Sequence, residues 1–386
     1  MNAGMTGIQD LIGTGVALLS LLATGFTVGA AATVKAKREY SPPRAPRRPA
    51  TPVTILKPLH LEEPGLEQNL RSFLQQDYDG EVQIVFGANT RTDPALAVAD
   101  ALHRDFPDAD IQIVVGSKAD ATNPKVANLI NMVAHAKHDL LVLSDSDIRV
   151  GRDYLRRVVS EFDDPQVGAV SLLYSGTPLG NTWSKLAAMN IDCHFLPNAR
   201  LGMALGLAHP CFGSTIALRR QTLEEIGGFE AISNVLADDY EIGRAVRARG
   251  YQIRIPDFTV EHICSETGLM ALFQQELRWA RTNFLLARIG YIGSVVTYPL
   301  PLALLGLTFL GVTPLSLSAL AWALASRLYL VFKVARRLGG RGDYVWLLPL
   351  RDIMSFFVYL ASFFGKNVQW RGHRFATQAD GALAPV

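Results

Sequence analysis

The stretch that most limits what this chain can become is LIGTGVALLSLLATGFTVGAAATV, residues 11–34, which carries no charge. Hydrocarbon offers backbone amides no partner, so a run of this kind crosses a bilayer as a helix; it exceeds the roughly 20 residues that a core of about 30 Å requires. Lys35, Lys37 and Arg38 come immediately after it, then Arg44, Arg47 and Arg48. A secretory leader has the opposite order, with charges before the apolar run and a cleavage site after it. The run therefore reads as an uncleaved anchor, and the positive-inside rule puts the chain beyond residue 34 on the cytoplasmic side.

Residues 291–332 are almost uncharged but contain Pro299, Pro301 and Pro314. They predict two helices, 293–312 and 315–333, with a turn near Pro314, and Lys333, Arg336, Arg337 and Arg341 mark a return to the cytoplasm. A third segment, 344–364, has Arg351 and Asp352 near its middle. It either spans with the charges facing protein or is re-entrant or interfacial. Lys366, Arg371 and Arg374 beyond it favour a cytoplasmic tail, and hence the re-entrant form.

Between these apolar ends the pattern changes. SPPRAPRRPATP (41–52) is an extended basic linker lying near anionic lipid heads. Short apolar runs at 53–58, 82–87, 111–115, 139–144 and 167–173 alternate with helix-period stretches at 66–76, 95–106, 125–135 and 153–162. That alternation predicts a parallel α/β sheet, in which ligands gather at the carboxyl ends of strands. DLLVLSDSDIRV (139–150) places Asp145 and Asp147 at such an end. Asp and Ser also form ordinary turns there, so the pair alone reads either way.

Other function classes lose support. A net charge of +2 argues against a polyanion-coating protein, since nucleic-acid binders carry a stronger and more clustered excess. The three cysteines, Cys193, Cys211 and Cys264, form no CxxC pair, which offers neither a zinc site nor a disulfide framework. Neither GxGxxG after the first strand nor GxxxxGK[ST] is present. A sheet that binds a nucleotide without a glycine-rich loop needs another way to neutralise diphosphate, and a divalent ion held by carboxylates is one.

Four further features accompany the acidic pair, each with an ordinary reading. Asp93 in NTRTDPA suits a turn or helix start. Asp238 and Asp239 in LADDYEIG open a helix, where either serves as an N-cap. Gln275, Arg278 and Trp279 in QELRW suit an interfacial helix with Trp279 as a membrane-level anchor. Lys125 in NPKVANL reads as a surface charge, and His194, His209 and His262 as core or surface histidines, since they lack paired metal-ligand spacing.

Together and in this order, these residues resemble the processive-type inverting glycosyltransferases of the GT-A fold, and more narrowly the ceramide glucosyltransferase family, family 21. That family is marked by three spaced aspartate motifs and a closing (Q/R)xxRW. Here the three fall on Asp93, Asp145 and Asp239, and the last on residues 275–279. The resemblance runs from ILKPLH (55–60) through SDSDIRV, ALRRQTLEEIGGF (217–229) and LADDY to the WRG near Trp370, most of the chain. ILKPLH, NLINM, SDSDIRV and ELRWAR look closest to the bacterial hopanoid-biosynthesis N-acetylglucosaminyltransferases. Two departures stand out. Asp147 is present where the animal ceramide enzymes have glycine, and Asn89 stands where an additional aspartate often occurs.

The resemblance implies a UDP-sugar donor, a lipid acceptor (a hopanoid or ceramide) and a divalent metal ion, Mg²⁺ or Mn²⁺. Asp145 and Asp147 would hold the metal. Asp93, Lys125, Asp145 and Arg278 would bind the donor, Gln275 and Trp279 would meet sugar or acceptor, and Asp239 would be the general base. It divides the chain into an anchor (1–34), a basic linker (35–52), a cytoplasmic GT-A catalytic domain (53–267) and an interfacial helix with the QxxRW motif (268–291). C-terminal membrane segments (292–365) and a cytoplasmic tail (366–386) complete a multi-pass protein of the inner membrane. The first reading is N-acetylglucosamine transfer to a bacteriohopane polyol, with glucose transfer to ceramide as the alternative. A polysaccharide synthase and a non-catalytic scaffold rank below both.

Overall fold

The computed structural model describes residues 2–34, 50–116, 121–337 and 345–365, with strands at 367–370, 373–377 and 383–385. Lys35, Lys37, Arg38, Arg44, Arg47, Arg48, Arg341, Lys366 and Arg371, and with them most of the linker, lie outside the described residues.

Helix α1 (Asn2–Thr33) comes first. Strands and helices then alternate: β1 (Val53–Pro58), α2 (Leu66–Leu74), β2 (Val82–Ala88), α3 (Ala95–Asp105), β3 (Asp110–Val115), α4 (Pro124–Val133) and β4 (Leu140–Ser144). Next come β5 (Ile148–Arg149), α5 (Tyr154–Ser160), β6 (Val167–Ser171) and β7 (Leu173–Pro178). Helices α6 (Thr182–Asn190) and α7 (Leu196–Ala204) are joined by a π-helical turn, Ile191–Phe195. After them stand β8 (Thr215–Arg219), α8 (Arg220–Glu225), α9 (Asp238–Ala248), β9 (Gln252–Arg254) and β10 (Thr259–Cys264). The remainder is α10 (Leu269–Leu286), α11 (Arg288–Gly293), α12 (Pro299–Leu310), α13 (Pro314–Arg337), α14 (Leu348–Ser362) and strands β11 to β13 (Asn367–Trp370, His373–Thr377, Leu383–Pro385).

These elements form two compact units. The sheet unit holds residues 50–179 and 210–265 and the last three strands; the helical unit holds 2–34, 180–209 and 266–365, within the described residues. The expected catalytic domain ran unbroken over 53–267, whereas residues 180–209 group with the apolar helices.

In the sheet unit, seven strands lie in the order β3-β2-β1-β4-β8-β6-β9. The four from β3 to β4 are parallel, as the alternation predicts. β8 runs antiparallel to both its neighbours, so the sheet is mixed rather than wholly parallel. No crossover helix carries the chain back to start β8; Thr215 pairs with Ser144 at the carboxyl end of β4, and the strand runs back from there. Both sheet faces are covered: Val53 and Ile55 of β1 pack with α2, α3 and α5, and Leu56 with α4, α8 and α9. Strands buried on both faces read as continuous apolar runs, which is why they show in the sequence. A smaller sheet, β5-β10-β7, begins at the residues just after the acidic turn.

In the helical unit, Gly7–Thr33, Pro314–Arg337 and Val345–Ser362 are long and apolar enough to cross a membrane. Small residues bring α1 against α12 and α13. Ala17, Ala303, Ala319 and Ala323 form one buried cluster, and a Cβ on Gly306 would lie 3.3 Å from that of Ala17. The helix expected over 293–312 is broken at Tyr298, and the pieces Arg288–Thr297 and Pro299–Leu310 meet at 72°. Pro299 favours the break: proline disfavours helical backbone in the residue before it, and Tyr298 has φ −117° and ψ 59°. In Val345–Ser362, Arg351 and Asp352 are buried against protein partners.

Candidate active site

The chain leaves β4 at Ser144 and turns through Asp145, Ser146 and Asp147 into β5. Backbone bonds hold this turn: the Ile148 amide donates to the Asp145 carbonyl (3.3 Å) and the Ile263 amide to the Asp147 carbonyl (2.9 Å). Asn69 Nδ2 donates to the Ser146 carbonyl (3.2 Å), and the Ser146 hydroxyl to Glu63 Oε2 (2.9 Å). With Ser146 turned into protein, the carboxylates of Asp145 and Asp147 stay about one-third exposed, at 34% and 33%.

Asn123 caps α4 by accepting from the Lys125 and Val126 amides (3.0 and 3.2 Å), and Pro124 fixes the first turn. This sets Lys125 Nζ 2.8 Å from Asp145 Oδ1 and 3.1 Å from Asp238 Oδ2. Burial alone would depress this ammonium, but the charges of Asp145 and Asp238 outweigh it and hold the proton more tightly than usual. Lys125 is therefore no surface charge. It joins the second aspartate motif to the third.

Asp238 and Asp239 begin α9, and Ala237 occupies the cap position, so neither acid is the N-cap. Asp239 instead accepts from the Gly213 amide at Oδ2 (2.9 Å) and from its neighbour Tyr240 at Oδ1 (2.8 Å). A Cβ on Gly213 would lie 3.2 Å from Asp239 Oδ2, so glycine permits the close approach. Burial first, then the charge of Asp238, push the Asp239 carboxyl up to about 6, against the pull of Lys125. An acid so placed is ionised at neutral pH and a better base than an ordinary aspartate.

Asp147 Oδ2 lies 3.5 Å from His262 Nδ1, on the facing strand β10. Its Oδ1 is buried and has no hydrogen-bond partner among the described residues. No group of three or more His, Cys, Asp or Glu side chains among the described residues is placed to hold a metal. One such carboxylate nonetheless suits the ion that the resemblance implies: Mg²⁺-type sites use one or two carboxylates and take their remaining ligands from phosphates and water. Asp147 supplies an uncommitted oxygen, whereas Asp145 Oδ1 is engaged by Lys125.

Sequence reasoning gave no role to Lys57 or His262. Lys57 lies fully buried in β1, with Nζ 3.9 Å above the Phe73 ring, 3.4 Å from Ser144 Oγ and donating to the Asp145 carbonyl. Burial drives it down to about 7, although Asp145 and Asp147 pull the other way. The signal was a lysine inside an otherwise apolar strand. His262 gave no signal beyond its residue type.

Asp93 is committed to backbone. Its Oδ1 accepts from Leu61 and from Ala95 at the start of α3 (both 3.0 Å), with His60 Nδ1 3.8 Å from the carboxylate. Asn89 Nδ2 donates to the Pro124 carbonyl (2.9 Å). Gln275, Arg278 and Trp279 belong to the helical unit, half-buried along one side of α10 at helical spacing. The buried residue of that motif is Glu276, whose partner is Arg351.

A family model for glycosyl transferase family 21 matches residues 17–383. Ceramide glucosyltransferase 3 of Caenorhabditis elegans is 23% identical over 361 residues, covering 86% of this chain and 74% of that protein. An N-acetylglucosaminyltransferase of Rhizobium meliloti (strain 1021) is 26% identical over 247 residues, 61% of this chain and 57% of its own. Beta-monoglucosyldiacylglycerol synthase of Synechocystis is 26% identical over 280 residues, with 69% and 56% covered. Among solved structures, the mannosyltransferase PcManGT from Pyrobaculum calidifontis, in complex with GDP-Man and Mn²⁺, matches with a TM-score of 0.54. It is 22% identical and is covered over 99% of its chain and 91% of this one, a likeness that shows the fold to be GT-A.

Proposed function

This chain belongs to glycosyl transferase family 21 and is a hexosyltransferase, and from that footing we propose that it moves N-acetylglucosamine from UDP-N-acetylglucosamine to the hydroxyl of a bacteriohopane polyol. The observation that carries metal-assisted transfer is Asp147, whose buried oxygen lacks a partner among the described residues, beside the acidic network built on Lys125. The sugar is supported by the N-acetylglucosaminyltransferase among the relatives. The acceptor rests on the resemblance of ILKPLH, NLINM, SDSDIRV and ELRWAR to the bacterial hopanoid-biosynthesis N-acetylglucosaminyltransferases. The second reading, glucose transfer to ceramide, is favoured by a ceramide glucosyltransferase that aligns over 86% of this chain.

Asp147, with Asp145, would hold a divalent ion. When bound, that ion supplies positive charge against the diphosphate that leaves as the glycosidic bond breaks. Lys125 fixes the Asp145 carboxylate in place; Arg278 offers the planar fork suited to phosphate. Asp93 orders the loop at 59–61 through the Leu61 amide, and in this reading that loop and Asp93 border the uridine. Asp239 takes the proton from the acceptor hydroxyl as it attacks the anomeric carbon. The Gly213 amide bond keeps one of its oxygens fixed during that step. A single displacement inverts the centre, so an α-linked donor gives a β-glycoside. Trp279 and Gln275 would face sugar or acceptor. The sheet unit faces the cytoplasm, where the soluble donor is, and the apolar helices keep the enzyme in the inner membrane with its lipid.

The test is direct. Purified full-length protein in nanodiscs receives labelled UDP-N-acetylglucosamine or UDP-glucose, with a bacteriohopane polyol or ceramide. N-acetylglucosaminyl hopanoid as the main product is the expected result. Glucosylceramide instead would select the second reading, and no glycolipid from either acceptor would sink both.

A further inference from the structure

Helix α14 carries opposite charges side by side, and both are buried: Arg351 is 1% exposed and Asp352 6%. They reach different helices. Arg351 Nη1 and Nη2 donate to Glu276 Oε1 and Oε2 of α10 at 2.8 and 2.7 Å. Nη1 also donates to the Leu186 carbonyl of α6 (3.2 Å), and Nε to Ser355 Oγ (3.1 Å). Asp352 accepts from Arg327 Nε and Nη2 of α13 at 2.8 and 2.7 Å, while Arg327 Nη1 donates to the Cys193 carbonyl (2.8 Å). A candidate membrane span, α13, is thus tied through α14 to α10.

A buried ion pair adds little net stability compared with apolar side chains of the same volume, so stability alone does not account for two of them. What a fork-to-carboxylate pair does add is geometric constraint. On α10 the buried stripe is Leu272 and Glu276, and the adjoining stripe is Gln275, Arg278 and Trp279. A turn of α10 large enough to release Glu276 would carry all three of those side chains with it.

We propose that Arg351 is a positioning residue for sugar transfer: by gripping Glu276 it sets the angle at which α10 holds Gln275, Arg278 and Trp279, while Asp352 and Arg327 anchor α14. This rests on the proposed function, in which those three α10 residues serve the reaction.

The experiment uses full-length enzyme in nanodiscs, with competent protein counted by binding of UDP with Mn²⁺. The variants are Arg351→Met, Arg351→Lys, Glu276→Gln, the exchange Glu276→Arg with Arg351→Glu, and Arg278→Ala for comparison. Per competent enzyme, kcat should fall about 100-fold in Arg351→Met and Glu276→Gln, as expected of a displacement near 1 Å. The exchange should regain at least about tenfold over the Arg351→Met value. If Arg351→Met yields no nucleotide-binding protein, Arg351→Lys carries the test. It keeps the charge but not the fork, and a loss of about tenfold is expected. Unchanged kcat per competent enzyme in the single variants, or an exchange no better than they are, overturns the proposal. An Arg278→Ala enzyme of full activity would overturn the reading of α10 itself. A dead Arg278→Ala beside a normal Arg351→Met would sink the positioning role alone.

Discussion

The Lys125 ammonium lies 2.8 Å from Asp145 Oδ1, and the same nitrogen reaches Asp238, so one cation holds together acids that are distant in sequence. Replacing it with methionine leaves those acids facing one another with no counter-charge. Lys125→Met should lose on the order of 3 kcal/mol of stability by chemical unfolding. Because Lys125 lowers the Asp239 carboxyl, the acid limb of the variant's activity profile should also move to higher pH.

Asp239 gives the wild-type profile its acid side. Its carboxyl sits at about 6, above the ordinary value, and only the ionised form accepts a proton. Activity should be full above that value and fall about tenfold per pH unit below it, read as kcat/KM against pH. Asp239→Asn should lower kcat by about 10²–10⁴-fold while UDP binding is retained.

Metal dependence should centre on Asp147. Asp147→Asn is expected to weaken Mn²⁺ binding in the presence of UDP by at least about tenfold, followed by electron paramagnetic resonance. Treatment of the wild type with a chelator should abolish transfer, and added Mn²⁺ or Mg²⁺ should restore it. An Asp147→Asn enzyme with wild-type metal affinity would remove Asp147 from the site.

Lys57 gives stability a pH dependence of its own. Its folded value of about 7 lies below the ordinary lysine value of 10.5, so between these limits the unfolded chain binds the extra proton. Its contribution to stability therefore grows as pH rises from about 7 towards 10.5 and is lost as pH falls through 7. Lys57→Met should flatten that slope and raise stability at pH 7 by on the order of 2 kcal/mol, measured as the difference between unfolding curves.

Much of the sheet was legible because its strands are buried on both faces and so are apolar throughout. β5, with two residues, and β9, with three, are too short to show a period. The acids at the end of β4 were legible as a pair, but their partners were not. Lys125 is 20 residues away in sequence and Asp238 lies beyond a whole excursion of the chain, and no local pattern encodes such meetings. Glu276 stood unnoticed between the named residues of QELRW because its partner, Arg351, is 75 residues on. Arg351 and Asp352 left 344–364 open between a span with its charges facing protein and a re-entrant form, because their partners are not legible in the sequence. With Glu276 and Arg327 supplied, they sit inside protein.

The strand order of the large sheet also dictates when each strand finds its partner during synthesis. β1 to β4 form a parallel block complete by residue 144, each strand paired to another already made. β5, β6 and β7 come next, and their partners are only β8, β9 and β10, which begin at residue 215. A chain leaving the ribosome therefore carries three unpaired strands, and an open edge on β4, while residues 180–209 are being added. Open edges of that kind are sites of mispairing between chains. β8 closes the edge of β4 first, but the interval ends only at β10, which takes up both β5 and β7, and this makes that strand the point at which the growing enzyme becomes safe from its neighbours.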